Sequence, residues 1–321
     1  MREPAGAFVF RGEGVPPGER RRFELPAGRL ASGTWLTVPV EVIHGAWPGP
    51  AIWLSGAIHG DEIVGVEIIR QVVDSLDPTT MAGTLVAVPV VNVFGFVTES
   101  RYLPDRRDLN RSFPGSRQGS LAARLARLFV DEIVDPCSFG LDFHAGSDDR
   151  INLPHIRGNL DDPETRHLAL SFGAALVVHN KPPSGTLRAA ALRRGKRVLL
   201  FEGGEPRRFS PEAVEAGIAG TLRVVSALGM TEESPPPSSH ATRTSRSTTW
   251  TRAPRGGIFR LETHLGASLE KGDRIGTITD PAAHEGTPVR ARTGGLVVGH
   301  TVNPLVNPGD GILHVARLEE G

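Results

Sequence analysis

The sequence predicts an α/β fold: a mostly parallel mixed sheet flanked by helices, followed by a small C-terminal β module. Three observations carry that expectation. Strand and helix patterns alternate from about residue 51 to 230. A lead-in before them alternates apolar and polar residues at period two, as in Gly33-Thr-Trp-Leu-Thr-Val-Pro-Val-Glu-Val-Ile43. After them a polar stretch gives way to an internal repeat.

In chain order, residues 1–50 read as a β-rich lead-in to a first domain, 1–230. Apolar runs predict strands at 51–55, 84–91, 139–143, 175–179 and 197–202, and amphipathic runs predict helices at 62–76, 119–134, 163–173 and 211–228. Ser210-Pro211-Glu212 supports the last helix, because proline suits the first helical position. Residues 231–252 hold almost no apolar side chain over Glu232–Thr249 and read as a Pro/Ser/Thr-rich linker or exposed crossing loop. In the β module, 253–321, Gly256-Gly-Ile-Phe and Glu270-Lys-Gly-Asp273 are echoed by Gly294-Gly-Leu-Val and Asn307-Pro-Gly-Asp310. This resembles the two half-repeats of a biotinyl/lipoyl-type β-sandwich. The carrier-lysine motif is missing and Lys271 lies in the Gly-Asp turn, so the module is expected to serve packing, oligomerisation (a homo-oligomer) or the site entrance.

Composition excludes several classes. The 321 residues balance 36 Lys+Arg against 36 Asp+Glu, so no overall field favours nucleic acid or an anionic membrane. Leu85–Val97, the longest apolar stretch, is broken by Pro89, Asn92 and Gly95 and too short to span a bilayer. The opening residues lack the apolar run of a signal peptide. Cys137 is the only cysteine, which rules out an internal disulfide and points to a reducing, cytoplasmic setting with a structural thiol.

Chemistry concentrates at strand ends. His59 and Glu62 follow the strand Ala51-Ile-Trp-Leu54 in Ser55-Gly-Ala-Ile-His-Gly-Asp-Glu62. Imidazole and carboxylate three positions apart, beyond a strand's carboxyl end, can share one zinc ion. His144 is the candidate third ligand, because it also closes an apolar strand, Gly140-Leu-Asp-Phe-His144, and precedes a glycine turn. Two His and one Glu, with the fourth position left to water, make a catalytic site rather than a structural one. Glu202 ends a third such strand. A lone His-x-x-Glu is common by chance, and a histidine beside a strand end is ordinarily just hydrogen-bonded, so the company of these residues decides. Asp142 shares the face of His144, where orienting that ligand and core hydrogen bonding are both open. His155 is either structural or pocket-lining; His179, His264 and His300 carry no motif.

Four segments in order, Gly56-Ala-Ile-His-Gly-Asp-Glu62, Asp108-Leu-Asn-Arg-Ser-Phe-Pro-Gly115, Asp142-Phe-His-Ala-Gly146 and Phe201-Glu-Gly-Gly-Glu205, resemble the succinylglutamate desuccinylase/aspartoacylase family, relatives of the zinc carboxypeptidases. Leu153-Pro-His-Ile-Arg157 and Asn159-Leu-Asp-Asp-Pro163 are similar to its bacterial predicted-deacylase branch. The resemblance implies a zinc carboxypeptidase-like fold and one Zn²⁺ per chain on His59, Glu62 and His144. It makes Glu202 the general base, with Glu205 as rival, and Asn110–Arg111 the pair that holds a substrate carboxylate. Arg101 resembles an arginine that steadies the developing oxyanion. Pro104-Asp-Arg-Arg107 lengthens the spacing from Arg101 to the Asp-Leu-Asn-Arg motif beyond the family pattern, which leaves Arg106 and Arg107 as substitutes. The implied activity is hydrolysis of the amide of a small-molecule N-acyl amino acid or related carboxylate. A metallocarboxypeptidase acting on peptide C-termini is the rival enzyme, and a non-catalytic binding protein the rival class.

Overall fold

The computed structural model describes residues 3–29, 32–282 and 285–319. A short antiparallel hairpin, β1 (Phe8–Phe10) and β2 (Glu13–Val15), precedes a long one, β3 (Glu19–Arg29) and β4 (Trp35–His44). The α/β block follows: β5 (Trp47–Ser55), α1 (Val64–Ser75), β6 (Ala82–Val88), α2 (Val93–Val97), α3 (Leu121–Phe129), β7 (Phe139–His144), β8 (Arg150–Gly158), α4 (Pro163–Phe172), β9 (Leu176–His179), α5 (Leu187–Leu192), β10 (Arg197–Gly204) and α6 (Pro211–Ala227). The C-terminal strands are β11 (Arg243–Arg252), β12 (Gly257–Leu261), β13 (Ser268–Leu269), β14 (Arg274–Thr279), β15 (Gly286–Arg290), β16 (Gly295–Thr301), β17 (Leu305–Val306) and β18 (Gly311–Leu318).

Twelve strands join in one sheet, ordered β13-β16-β18-β11-β9-β8-β10-β7-β5-β6-β4-β3. The expectation of a mostly parallel sheet holds only in two blocks, the central β6, β5, β7 and β10, and β8, β9 and β11 beside them. Around these blocks β3–β4, β4–β6, β8–β10, β11–β18 and β16–β18 are antiparallel, so the sheet is mixed. Connection length explains the difference. Parallel neighbours need a crossover such as α1, whereas the short links between β3 and β4 and between β7 and β8 force the chain straight back.

Strand alternation sorts side chains into two cores. Ile52, Leu54, Leu141 and Phe201 face α1, α4 and α6 through Val64, Ile68, Phe172 and Val224. Trp53, Val86 and Val198 face the opposite layer, α3 and α5, through Leu125, Phe129, Leu187 and Ala190. Most of these side chains are fully buried, each contributing about 1.5–3 kcal/mol by removal from water. The packing leaves no room for a side chain at two glycines, one between helix and sheet and one between neighbouring strands. A Cβ on Gly65 would lie 2.5 Å from Phe143 Cβ, and one on Gly140 would lie 2.1 Å from the Trp53 ring.

The C-terminal half departs from expectation. Residues 243–252, read from composition as the end of a linker, form β11, which pairs with β9 on one side and β18 on the other. Its threonines are β-branched and suit a strand despite their polarity. β16 also pairs with β8, so β8, β9, β11, β18 and β16 close into a five-stranded barrel shared by both halves of the chain. A second sheet, β15-β14-β12-β17, packs over the module's share of the large one through Phe259, Ile275, Ile278, Val297 and Val315. The sequence repeat is visible in it: β12–β14 and β16–β18 are equivalent antiparallel pairs, one per layer. In the matching turns Asp273 Oδ2 accepts from Glu270 N and Asp310 Oδ2 from Asn307 N, both at 2.7 Å, with Gly272 at φ 98° and Gly309 at φ 92°. No helix among the described residues is long and apolar enough to cross a membrane.

Because no void exists beside Gly140, Gly140→Ala is expected to overpack the core and cost about 1–3 kcal/mol or more. A lowered urea midpoint at unchanged slope is the expected reading, and an unchanged midpoint contradicts the close approach.

Candidate active site

The site forms beyond the carboxyl ends of the central parallel strands, where α/β sheets place their ligands. The chain leaves β5 at Ser55 and enters a loop fastened by Gly56 N to Val88 O, Asn92 N to Ala57 O and Gly60 N to Ser100 O. Buried Ala57 is held at φ 47°, a left-handed conformation that costs roughly 1–2 kcal/mol in an L-residue and marks a turn fixed by its surroundings. Gly60 has no alternative: a Cβ there would lie 1.9 Å from the Gly95 carbonyl carbon. Glu62 N then donates to His59 O at 3.1 Å, closing a turn that brings the side chains of His59 and Glu62 together.

His144 is the last residue of β7, and its partner in the parallel register is Glu202 on β10. Candidate ligand atoms of His59, Glu62 and His144 all lie within 4.8 Å of one another, and all three residues are buried. Glu62 bridges them, with Oε1 2.7 Å from His59 Nδ1 and Oε2 2.8 Å from His144 Nδ1. Ala145 N also donates to Oε2, at 3.1 Å. Behind each imidazole stands an aspartate: Asp108 Oδ1 is 3.3 Å from His59 Nε2, and Asp142 Oδ2 is 3.0 Å from His144 Nε2. A carboxylate only accepts, so without a metal each imidazole donates from Nε2 to its aspartate and from Nδ1 to Glu62, and it is Nδ1 that is presented to the centre. Asp142 is itself fixed by Ser55 Oγ at 2.8 Å. Imidazoles held from behind by carboxylates and sharing a carboxylate in front form a donor set that fits zinc.

Charge in this cluster is strongly coupled. Burial pushes Glu62 towards protonation, but His59 and His144 outweigh it and hold the carboxyl well below its usual range. Burial likewise opposes charge on His144, yet Asp142 and Glu62 raise it well above 6.5. His59 is raised in the same way, by Glu62 and Asp108 acting against burial.

Arg101 reaches this centre. Its Nη1 donates to Ser147 Oγ at 2.9 Å and lies 3.4 Å from Glu62 Oε1, while Nη2 and Nε hold Asp108 Oδ2 at 2.9 and 3.2 Å. Of the two substitutes, Arg107 faces solvent against Asp105, and neither it nor Arg106 lines the cavity. That cavity, about 180 Å³, brings together His59, Glu62, Arg101, Asn110, Arg111, His144 and Glu202. Asn110 Oδ1 accepts from Leu187 N at 2.9 Å, tying the Asp-Leu-Asn-Arg loop to the start of α5. Glu205 does not line the cavity, and its side chain lies 3.8 Å from Arg208.

Sequence reasoning left several residues without a role. Asp108 stood inside a quoted motif, and its spacing from Asn110 was the available signal. Arg188 gave none, because no motif marks it within Leu187-Arg-Ala-Ala-Ala-Leu192, which the structure shows to be α5. It is buried against the cavity, with Nη2 on Asn180 and Nη1 unpartnered among the described residues. Burial lowers it to about 10, so it stays charged at neutral pH. Arg157 also lines the cavity, whereas His155 is packed behind it. Cys137 is buried away from the site and its thiol is pushed up to about 12, in keeping with a structural residue.

Fold and site together define a class: an α/β protein with a buried His–Glu–His cluster, able to hold a metal ion, at the carboxyl ends of its parallel strands. The family follows from comparison. Residues 48–228 match the succinylglutamate desuccinylase/aspartoacylase catalytic domain, and this chain belongs to that family. It is 27% identical over 333 aligned residues, 99% of this chain and 96% of the relative, to the Nα-acetyl-L-2,4-diaminobutyric acid deacetylase of Halomonas elongata. A succinylglutamate desuccinylase/aspartoacylase structure from Rhodobacter sphaeroides superposes with a TM-score of 0.84 at 26% identity, covering 99% of this chain and all of that one. The product-bound ectoine utilization protein EutE from Ruegeria pomeroyi shares the fold at a TM-score of 0.82 and 24% identity, over 94% of this chain and 97% of that one.

Since Glu62 and the two aspartates raise the proton affinity of His144 and His59 in the absence of metal, ion uptake must compete with protons at both rings. Zinc affinity measured by chelator competition is therefore expected to rise with pH from about 6 to 8, and a flat profile would contradict the coupling. Asp142→Ala is expected to weaken zinc binding about 10–100-fold in the same assay.

Proposed function

We propose that this chain is a zinc-dependent deacylase that hydrolyses the amide of a small N-acylated amino acid bearing a free carboxylate. The observation that carries the reading is one small cavity lined at once by the three candidate ligands, the carboxylate of Glu202 outside that set and four guanidinium groups. Membership of a family whose relatives include a deacetylase supports an amide-hydrolysing enzyme.

A zinc ion held by His59, Glu62 and His144 would supply a water acidified to near neutral pH and a Lewis acid for the carbonyl oxygen. Glu202 takes a proton from the attacking water and returns it to the leaving nitrogen as the C–N bond breaks. Its position beside His144 across the β7–β10 register supports that role. Arg101 presents Nη1 to the oxygen on which charge develops, and Asp108 keeps the guanidinium from swinging away. The substrate carboxylate lies against Asn110 and Arg111, with Arg188 Nη1 as a further donor, since a buried guanidinium nitrogen without a partner favours an anionic ligand. Water adds its oxygen to the acyl group, so the products are a carboxylic acid and a free amine.

The cavity is below the roughly 300–1,000 Å³ of drug-sized pockets, which favours a compact acylated amino acid over a peptide tail. Nα-acetyl-L-2,4-diaminobutyrate, from the relative's name, is the first substrate to assay by acetate release. With an active substrate in hand, Glu202→Gln is expected to keep its zinc and lose about 10²–10⁴-fold in kcat. Full activity in that variant would remove Glu202 from the mechanism. Arg188→Ala is expected to raise KM at least about tenfold while kcat changes little, and an unchanged KM would remove Arg188 from carboxylate binding.

A further inference from the structure

Two features are unused by this mechanism: the Leu153-Pro-His-Ile-Arg157 stretch and the C-terminal β module. They meet at Asn152, beside Glu202. β8, which carries the first, pairs antiparallel with β10 through Glu202↔His155 and then Gly204↔Asn152. Three steps on β8 thus match two on β10, and the extra residue falls at Leu153-Pro154, where proline suits a bulge. Without the bulge Leu153 would stand opposite Gly204. With it, Asn152 shares the face of Glu202, and its Nδ2 donates to Glu202 Oε2 at 2.8 Å.

The other oxygen accepts no hydrogen bond among the described residues and has only an ion-pair neighbour. Glu202 Oε1 lies 3.8 Å from Arg157 Nη1, beyond hydrogen-bonding distance, and both residues line the cavity. Arg157 is steadied from behind, its Nε donating to His155 Nε2 at 3.1 Å. His155 Nδ1 in turn donates to Leu153 O at 2.7 Å, and burial lowers the imidazole to about 3, so Nε2 remains an acceptor.

Asn152 is held from the opposite side by the C-terminal module. Gly299 on β16 is its partner in the barrel register. A Cβ on Gly299 would lie 2.7 Å from Asn152 Oδ1 and 3.1 Å from Ile151 O, so only glycine lets the amide sit where it does. Oδ1 packs on that bare backbone and Nδ2 faces the carboxylate, the orientation an acceptor-only group requires.

We infer that Asn152 is a positioning residue for the general base: it tethers one oxygen of Glu202 so that the other faces the reacting water, and Gly299 of the β module holds it there. This rests on the reading of Glu202 as the base. The module thereby takes part in the active site without lining it.

The test uses full-length, zinc-loaded protein carrying Asn152→Ala, Asn152→Asp, Gly299→Ala or Glu202→Gln, assayed for acetate release from Nα-acetyl-L-2,4-diaminobutyrate. Asn152→Ala and Gly299→Ala are expected to lose about 10–100-fold in kcat, with KM within about twofold and zinc content unchanged. Asn152→Asp keeps the shape but sets a second carboxylate beside Glu202, so the acid limb of its pH–rate profile is expected to move to higher pH. Wild-type kcat and acid limb in both Asn152 variants would overturn the inference, as would a raised KM at unchanged kcat. If Glu202→Gln is inactive while the Asn152 variants are normal, only this inference fails. Full activity in Glu202→Gln instead overturns the assignment of the base, and the inference with it. A crystal structure of Asn152→Ala needs no substrate: Glu202 is expected to lose its single orientation, and retention of that orientation overturns the tether.

Discussion

The buried carboxylate of Glu62 is the constraint on which the rest of the site depends. Almost no solvent reaches it, and an ionised carboxylate so placed persists only if every lone-pair direction is answered. His59, His144 and the Ala145 amide answer them together with the longer contacts from Arg101 and Ser147, and the first two fix other elements. His59 demands the tight loop after β5, with Gly60 against the Gly95 backbone. His144 demands that β7 end level with that loop, which the parallel β5–β7 register provides. Asp108 and Asp142 then set which imidazole nitrogen faces inward. Much of the local architecture is the set of supports that one ionised group requires.

Much of the site was legible because its chemistry is local in sequence. His59 and Glu62 sit in one turn, Asn110 and Arg111 are neighbours, and His144 and Glu202 close apolar runs of the kind that read directly as buried strands. Arg101 illustrates the opposite case. The resemblance points to it while the longer spacing leaves Arg106 and Arg107 as substitutes, and only the path of the loop turns one guanidinium inward and leaves the other two off the cavity.

What stayed hidden is long-range. β8 carries Pro154, His155 and Arg157 among its apolar residues, so its pattern is neither strict alternation nor a continuous apolar run. β11 hides for a related reason: Ser and Thr dominate it, and they look like linker until their partners on β9 and β18 are known. Barrel closure joins residues about 150 positions apart, such as Asn152 and Gly299, and no local propensity encodes such a pairing. Asp108 and Arg188 belong here too, since a carboxylate behind a histidine and a guanidinium inside a helix acquire meaning only from what they face.

The shared barrel also bears on how such a protein can be recombined. Composition invites a cut in the polar stretch before β11, where a module from one relative might be exchanged for that of another. The seam of the barrel does not run there. β8 and β9 belong by sequence to the first half, and β11, β16 and β18 to the second, yet all five share one hydrogen-bonded ring. An exchange at the polar stretch would set a foreign β16 beside a native β8 and meet Asn152 with whatever residue replaced Gly299. A crossover that respects the ring carries β8 and β9 along with the C-terminal strands. Heredity and engineering therefore face a unit of inheritance that is discontinuous in the chain.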